Sequence, residues 1–468
     1  MGFQKLSAYE LSISKNLISS YEYILLPVYI FLFFVATRIL VELIYKDQTI
    51  QKTIYKGLSL KIFGGLFVTL IFNFYYQGGD IGTYYNEGRI LTNLILENPE
   101  YFFRIYFYSP SGDDTELKNL FTGMNYMNAA DTRIILKITS FLNFFTFNSY
   151  LVTTFLYSYI SFWCIWKLVY LLFTIYPDHK KFITWGFFFA PSLIVWGSAI
   201  LKDTICFSSL CLIHYYLYQV FINNKFKPTY VIYILLTGYI ILTIKLYILL
   251  AYAPCFSFMV TQQYKKNIQN VFLRALIAPF IIVFSLVISY VLVTQLGAQK
   301  ERFSSEKIMQ TAKIQRDYLH SVSLRSQGST YDLGEMDDNL MSYVLKLPAG
   351  INVSLFRPYL WESRNPIMFL SAIESSFVLF ITIRLFYKRR LKNTLTVLSK
   401  DINLQFFLLF GLLFSFLVGV TTYNFGSLVR YKIQGYPFYI VGILLLYYLQ
   451  EPNDKKKFKK RKVFSADN

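Results

Sequence analysis

The chain has 468 residues, of which 55% are hydrophobic and only 16% charged, with a formal net charge of +19. A soluble globular chain carries roughly 25% charged residues to keep its surface wet, so water is not the main solvent here and a soluble enzyme is excluded. Nucleic-acid binding is excluded as well, because Lys and Arg come in short bursts between apolar runs, which is how bilayer topology is written.

In chain order, MGFQKLSAYELSISKNLISS lacks the basic start, apolar centre and cleavage site of a signal peptide, so the first apolar span is expected to stay in the protein. A helix needs about 20 apolar residues to cross the hydrocarbon. Eleven runs fit: Ile24 to Ile44, Leu58 to Tyr76, Tyr150 to Ile175, Phe182 to Ile200, Thr204 to Phe221, Tyr230 to Thr243, Leu246 to Val260, Ala275 to Leu296, Pro366 to Phe386, Leu404 to Val420 and Tyr436 to Leu449. The expected fold is all-α: a polytopic transmembrane helical bundle of about eleven spans, forming a single integral membrane domain over residues 1–468. Two long excursions, 77–149 and 297–365, interrupt the spans, and a basic tail, 450–468, closes the chain.

Orientation follows from the short connections. YKDQTIQKTIYKG, PDHKK, NNKFKP, QQYKKNIQNVFLR, YKRRLKN and the tail alternate as every second linker and hold most of the short-loop Lys and Arg. The positive-inside rule then places the N-terminus outside, the C-terminus in the cytoplasm and both excursions outside. Many of the 40 Tyr and 46 Phe flank the spans, where their rings anchor at headgroup level. RIILKITSFLNFFTF in the first excursion has helical spacing and is expected to lie on the outer membrane surface. Arg38 and Glu42 form an i, i+4 pair, and Lys61 and Lys167 are expected to snorkel from near the inner ends of their spans.

No metal or cofactor site is indicated. Cys164, Cys206, Cys211 and Cys255 lie in apolar runs without a paired motif, and His179, His214 and His320 form no ligand constellation. The chemistry-bearing residues are the charges beside membrane spans, which are costly to keep there and are therefore the default functional candidates.

Five places qualify. GGDIGTYYNEGR, after the second span, offers Asp80 or Glu87 as a general base toward a sugar hydroxyl and Tyr84 and Tyr85 as stacking rings; Asp80 equally fits as a helix N-cap. WGSAILKDTICF carries Lys202, which suits a phosphate, with Asp203 to hold it. Lys245, in TIKLY, sits at the other very short outward turn, so two lysines at one depth suggest a single anion site. LPAGINVSLFRPYLWESRNPIMFLSAIESS brings Arg357, Trp361, Glu362 and Arg364 to the interface. Its Glu374, two turns into the next span, should face the bundle interior and meet a cation. TTYNFGSLVRYKIQGYPF supplies Asn424, Arg430, Tyr431 and Lys432, and an arginine can fork two oxygens of a diphosphate.

The GGD turn, the stretch ending in Lys202 and Asp203, the FRPYLWE element and the NFGSLVRYK turn together resemble bacterial O-antigen or exopolysaccharide polymerases and, more broadly, type-C glycosyltransferases. The resemblance is diffuse and spans most of the chain. It implies a polyprenyl-diphosphate-linked glycan as substrate and transfer at the outer face of the bacterial inner membrane, with no cofactor and no obligatory metal. Membrane lipid and envelope-assembly proteins are the implied partners. Asp80, Glu87 or Glu362 would be the base, and Arg357, Arg430 and Lys432 would grip the diphosphate. The chain departs in one respect: type-C enzymes carry their acidic residue after the first span, whereas Asp80 follows the second, as an added N-terminal span would explain. Two other readings fit the composition, a transporter or flippase for an anionic lipid or glycan and a non-catalytic membrane subunit of an envelope complex.

Overall fold

A computed structural model describes residues 17–110, 112–124, 126–265, 313–314, 316–321, 329–334, 340–363, 366–388 and 391–449. Those residues are helical throughout apart from turns and one isolated bridge, Thr330 to Asn424. The helices that matter below are α1 (Glu22–Ile44), α2 (Gln48–Leu70), α3 (Asp80–Glu97), α4 (Ala130–Asn143), α5 (Tyr150–Ile175), α6 (Lys202–Phe221), α7 (Pro228–Tyr264), α8 (Leu347–Phe356), α9 (Pro366–Lys388), α10 (Ile402–Thr421) and α11 (Tyr436–Tyr448).

Among the described residues seven helices are long and apolar enough to cross a membrane, which makes this a multi-pass membrane protein. The eleven expected runs reduce to these seven for identifiable reasons. Ala275 to Leu296, like residues 297–312 and the tail 450–468, lies outside the described residues. Tyr436–Tyr448 is helical for only 13 residues. The run from Phe182 to Ile200 is not one helix. Helix Lys180–Thr184 opens into a π turn over Trp185–Phe189, Ala190 is extended, and a helix over Pro191–Trp196 ends before Gly197. Pro191 lacks the N–H that would continue the ladder and disfavours helical backbone in the residue before it. Finally, the two runs around Lys245 are two helices that meet at a kink, where Lys245 has φ −144° and ψ 74°, and they count together as one of the seven over Pro228–Tyr264.

The chain divides into two compact units, the first built from Met1–Leu171, Leu193–Tyr216 and Pro228–Lys245, the second from Leu172–Ser192, Leu217–Lys227 and Leu246–Asn468. In the first, α1 lays Phe33 edge-on against Phe155 and Tyr159 of α5. α2 approaches the Gly197–Leu201 break so closely that a Cβ on Gly64 would collide with the Ile194 carbonyl oxygen. Lys61, one turn earlier, is buried and donates to the Gly197 carbonyl. It therefore does not snorkel: a helix broken at membrane depth leaves carbonyls that need a donor, and Lys61 supplies one. Lys167, by contrast, stays exposed, its amine donating to Tyr216 Oη at 2.7 Å.

α4, expected on the membrane surface, buries Ile135, Leu136, Thr139 and Ser140 and packs on α3, with Gly88 against Thr139. Part of the apolar stripe is thus a helix–helix contact, while Phe141 and Phe145 of the same segment remain 47% and 56% exposed. In the second unit α8 crosses α10 with Gly350 against Gly419, and α10 meets α11 through Gly411 on Tyr439, the small-residue packing that lets membrane helices approach. Phe406, Phe407, Phe410, Phe414 and Phe438 fill the core between them.

Candidate functional site

In the first unit the GGD turn is made by glycine. Gly79, at φ 105°, is the N-cap of α3, so Asp80 is the first helical residue and not the cap. Asp80 Oδ1 accepts from Tyr126 Oη at 2.9 Å. Glu87 is 4% exposed and accepts the Tyr126 backbone N–H at 3.1 Å. Tyr84 and Tyr85 are buried, Tyr84 tilted against Tyr126 and Tyr85 against Tyr150 with its hydroxyl donating to the Asn148 carbonyl. Burial pushes the Tyr85 phenol up. Of these four residues only Asp80 keeps a partly exposed, polar position.

The two candidate lysines of this unit, Lys202 and Lys245, are each matched to a carboxylate, though not as the sequence suggests. Lys202 pairs with Asp131 of α4 at 2.7 Å, and Asp203, fully buried, pairs with Lys245 at the break in α7. The Lys202–Asp131 contact puts Lys202 at the same end of the unit as the first excursion. Lys245, at 8% exposure, is held inside the bundle. Asp131 was not legible as a partner, since 71 residues separate it from Lys202.

The second unit joins the FRPYLWE element, the start of α9 and the NFGSLVRYK turn. Arg357 Nε lies 3.0 and 3.1 Å from the two oxygens of Glu362, and its Nη2 also bonds Glu362, the bidentate geometry that makes such pairs strong. Its guanidinium sits over the Phe425 ring at 5.0 Å. Asn424 caps helix Phe425–Tyr431 by accepting the Ser427 N–H, and Phe425 N–H donates to the Ser329 carbonyl. Behind this pair, Ser375 Oγ donates to the Arg357 carbonyl and Lys432 Nζ meets Ser375 Oγ at 3.1 Å. Lys432 lies 4.3 Å from the centre of the Tyr436 ring. Glu374 is buried, accepts from the Ser192 N–H and Oγ at 2.9 Å each, and lies within electrostatic reach of Lys432.

Against this polar chain opens a cleft of about 280 Å³ lined by Ser329, Thr330, Trp361, Glu362 and Phe425. Trp361 is 81% exposed and stacks on Tyr359 at 4.9 Å and 26°. The arrangement can therefore present an aromatic ring, the Thr330 side chain and a carboxylate fixed by an arginine to one ligand. Arg430 is half-buried in the adjoining helix, whereas Lys432 is 1% exposed. The stacked Trp361–Tyr359 pair and the contribution of Ser329 and Thr330 escaped the sequence; the WE in FRPYLWE is the only local signal for them.

Among the described residues no group of His, Cys, Asp and Glu could hold a metal ion. No known protein family, curated protein or solved structure matches the chain.

Proposed function

We propose that the chain is a membrane glycosyltransferase or glycan polymerase that acts on polyprenyl-diphosphate-linked sugars at the outer face of a bacterial inner membrane. The observation that carries the reading is the cleft in which the exposed Trp361 face adjoins the Arg357–Glu362 pair. An indole face covers the C–H face of a sugar ring while adjacent polar groups bond its hydroxyls. The asymmetry of Lys and Arg between alternate short linkers supports placing this cleft outside.

In the proposed reaction the acceptor hydroxyl oxygen attacks the anomeric carbon, and the bond from that carbon to the diphosphate oxygen breaks. Glu362 takes the hydroxyl proton, and the departing diphosphate carries the negative charge toward Arg430 and Arg357, with Lys432 adding to the local potential. Asp80, partly exposed and bonded to Tyr126 in the first unit, is the other carboxylate the reading puts to the test.

The test is the length and abundance of surface polysaccharide in cells that carry Glu362→Gln, Arg430→Ala or Asp80→Ala in place of the natural residue. Loss of long chains with normal protein level is expected for the first two. Unchanged length and abundance in all three would end the catalytic reading. One observation favours a transporter instead: the backbone break at Gly197–Leu201 with Lys61 bonded to it is the kind of discontinuous helix that transporters use. Movement of a labelled anionic lipid across vesicles containing the purified chain, without formation of a glycosidic bond, would select that alternative.

A further inference from the structure

Arg133 of α4 takes no part in the candidate site, and its surroundings are incomplete. The side chain is half-buried, and among the described residues its guanidinium has one hydrogen-bond acceptor, the Met127 carbonyl at 3.1 Å, although a guanidinium can donate along several N–H bonds at once. Lys137 follows one turn later on the same helix, its amine given to the Tyr106 and Tyr108 carbonyls. Lys202 comes to the first turn of α4 to bond Asp131. Like charges four residues apart on a helix repel, and little here offsets that repulsion. Among the described residues Asp131 is the one carboxylate bonded to any of these three cations, and Lys202 holds it. The cluster thus carries an excess of two positive charges. Burial keeps the Arg133 guanidinium below the usual arginine range, and burial together with the Arg133 charge brings Lys137 down to about 8. A desolvated cation is costly unless an anion or enough acceptors answer it.

The cluster borders the membrane. Tyr239, 62% exposed on membrane-spanning α7, lies within electrostatic reach of Arg133. Phe103 and Phe107, 69% and 82% exposed, stand one turn apart on the short helix Tyr101–Phe107, which leads directly to the Tyr108 carbonyl that accepts from Lys137. Rings this exposed beside a bundle of membrane helices settle among headgroups and acyl chains. A ligand that reaches Arg133 from this side comes out of the bilayer.

We infer that Arg133, flanked by Lys137 and Lys202, binds the phosphate of a membrane lipid whose headgroup is a phosphomonoester or a diphosphate. A guanidinium forks two phosphate oxygens, and lysines add point charges beside it. Basic pockets beside membrane helices are where such headgroups bind. A phosphomonoester carries about two negative charges at neutral pH, which matches the excess on the protein. The inference concerns the first unit alone and stands whatever reaction the cleft of the second unit performs.

The test is binding of phosphatidic acid, a phosphomonoester on two acyl chains, to the full-length chain in lipid-free detergent, read by native mass spectrometry and by thermal unfolding. Diacylglycerol, with the same chains and no phosphate, and inorganic phosphate, with no chains, are the comparisons. Phosphatidic acid should bind about tenfold tighter than either and raise the unfolding temperature. Arg133→Gln should weaken that binding about tenfold, yet leave the ligand-free chain as stable as the parent, because it removes the repulsion with Lys137; an arginine with a merely structural role would destabilise the chain when lost. Asp131→Asn removes the competing carboxylate and should tighten binding about threefold, a gain that tests the site even if Arg133→Gln does not fold. Arg104→Gln, in the same excursion but paired with Asp114 and Glu116, should leave the affinity unchanged. Inorganic phosphate binding as tightly as phosphatidic acid, equal weakening by Arg104→Gln and Arg133→Gln, or an affinity that neither Arg133→Gln nor Asp131→Asn alters would each overturn the inference.

Discussion

Asp203 and Lys245 form an ion pair buried within the first unit, joining the first turn of α6 to the single non-helical residue of α7. Burying two charges is costly, and breaking such a pair leaves the survivor desolvated without its counter-ion, which costs about 3–5 kcal/mol. Asp203→Ala should therefore lower thermal stability in detergent far more than an average substitution. Replacing both residues together, Asp203→Leu with Lys245→Met, should recover most of the loss. A thermal unfolding series by fluorescence-detected size exclusion reads all three; an Asp203→Ala chain as stable as the parent would contradict the burial.

Gly64 and Gly238 make opposite demands. A Cβ at Gly64 meets the Ile194 carbonyl, which is backbone and cannot yield, whereas at Gly238 it meets only the tip of Ile213 at 3.7 Å. Gly64→Ala should destabilise by about 1–3 kcal/mol through overpacking. Gly238→Ala should stabilise by about 0.5–1 kcal/mol, since alanine restricts the unfolded chain and suits a helix interior. The same unfolding assay distinguishes them by sign.

Lys137 of α4, outside the membrane-spanning helices, donates to the carbonyls of Tyr106 and Tyr108 at 2.8 and 3.2 Å. Burial, with the neighbouring Arg133 charge adding to it, lowers its amine from the usual lysine range to about 8. The folded state thus releases this proton near pH 8, while the unfolded chain keeps it to about 10.4. Between those values the unfolded state binds more protons, so stability of the first excursion should rise with pH. Hydrogen exchange of residues 130–143 at pH 7.5 and 9.5 should show the slower opening at the higher pH once the chemical exchange rate is corrected. Lys137→Met should abolish that difference.

Trp361 lines the cleft and contributes little to packing, being 81% exposed. Trp361→Ala should change stability by less than about 0.5 kcal/mol. Under the saccharide reading it should weaken binding of a lipid-linked oligosaccharide about tenfold, the equivalent of ~1.4 kcal/mol for a lost aromatic contact, with Trp361→Phe intermediate. Titration of the purified chain in nanodiscs gives both numbers. Undiminished affinity in the alanine variant would remove the cleft from the substrate path.

The membrane-embedded helical character was legible because it depends on local quantities: runs of apolar residues about as long as the bilayer is thick, and the absence of enough charge to face water. The break at Lys245 showed in the same way, as a charge between two short apolar runs, and the burial of Glu374 followed from the cost of leaving a carboxylate in hydrocarbon. The partners of these charges were not legible. Lys202 looked like the companion of Asp203, its neighbour, yet it pairs with Asp131, and Asp203 takes Lys245 instead. Lys61 looked like a snorkelling residue until the broken segment beyond Pro191 placed a bare carbonyl beside it.

Sequence by itself thus settled the solvent, the helical class and which residues are too costly to be idle, because hydrophobic length and the penalty for a buried charge act residue by residue. Only the tertiary structure decided which charge answers which, which tyrosines are core and which aromatic is open, because ion pairing and burial depend on chain segments far apart in sequence that meet only when the helices pack.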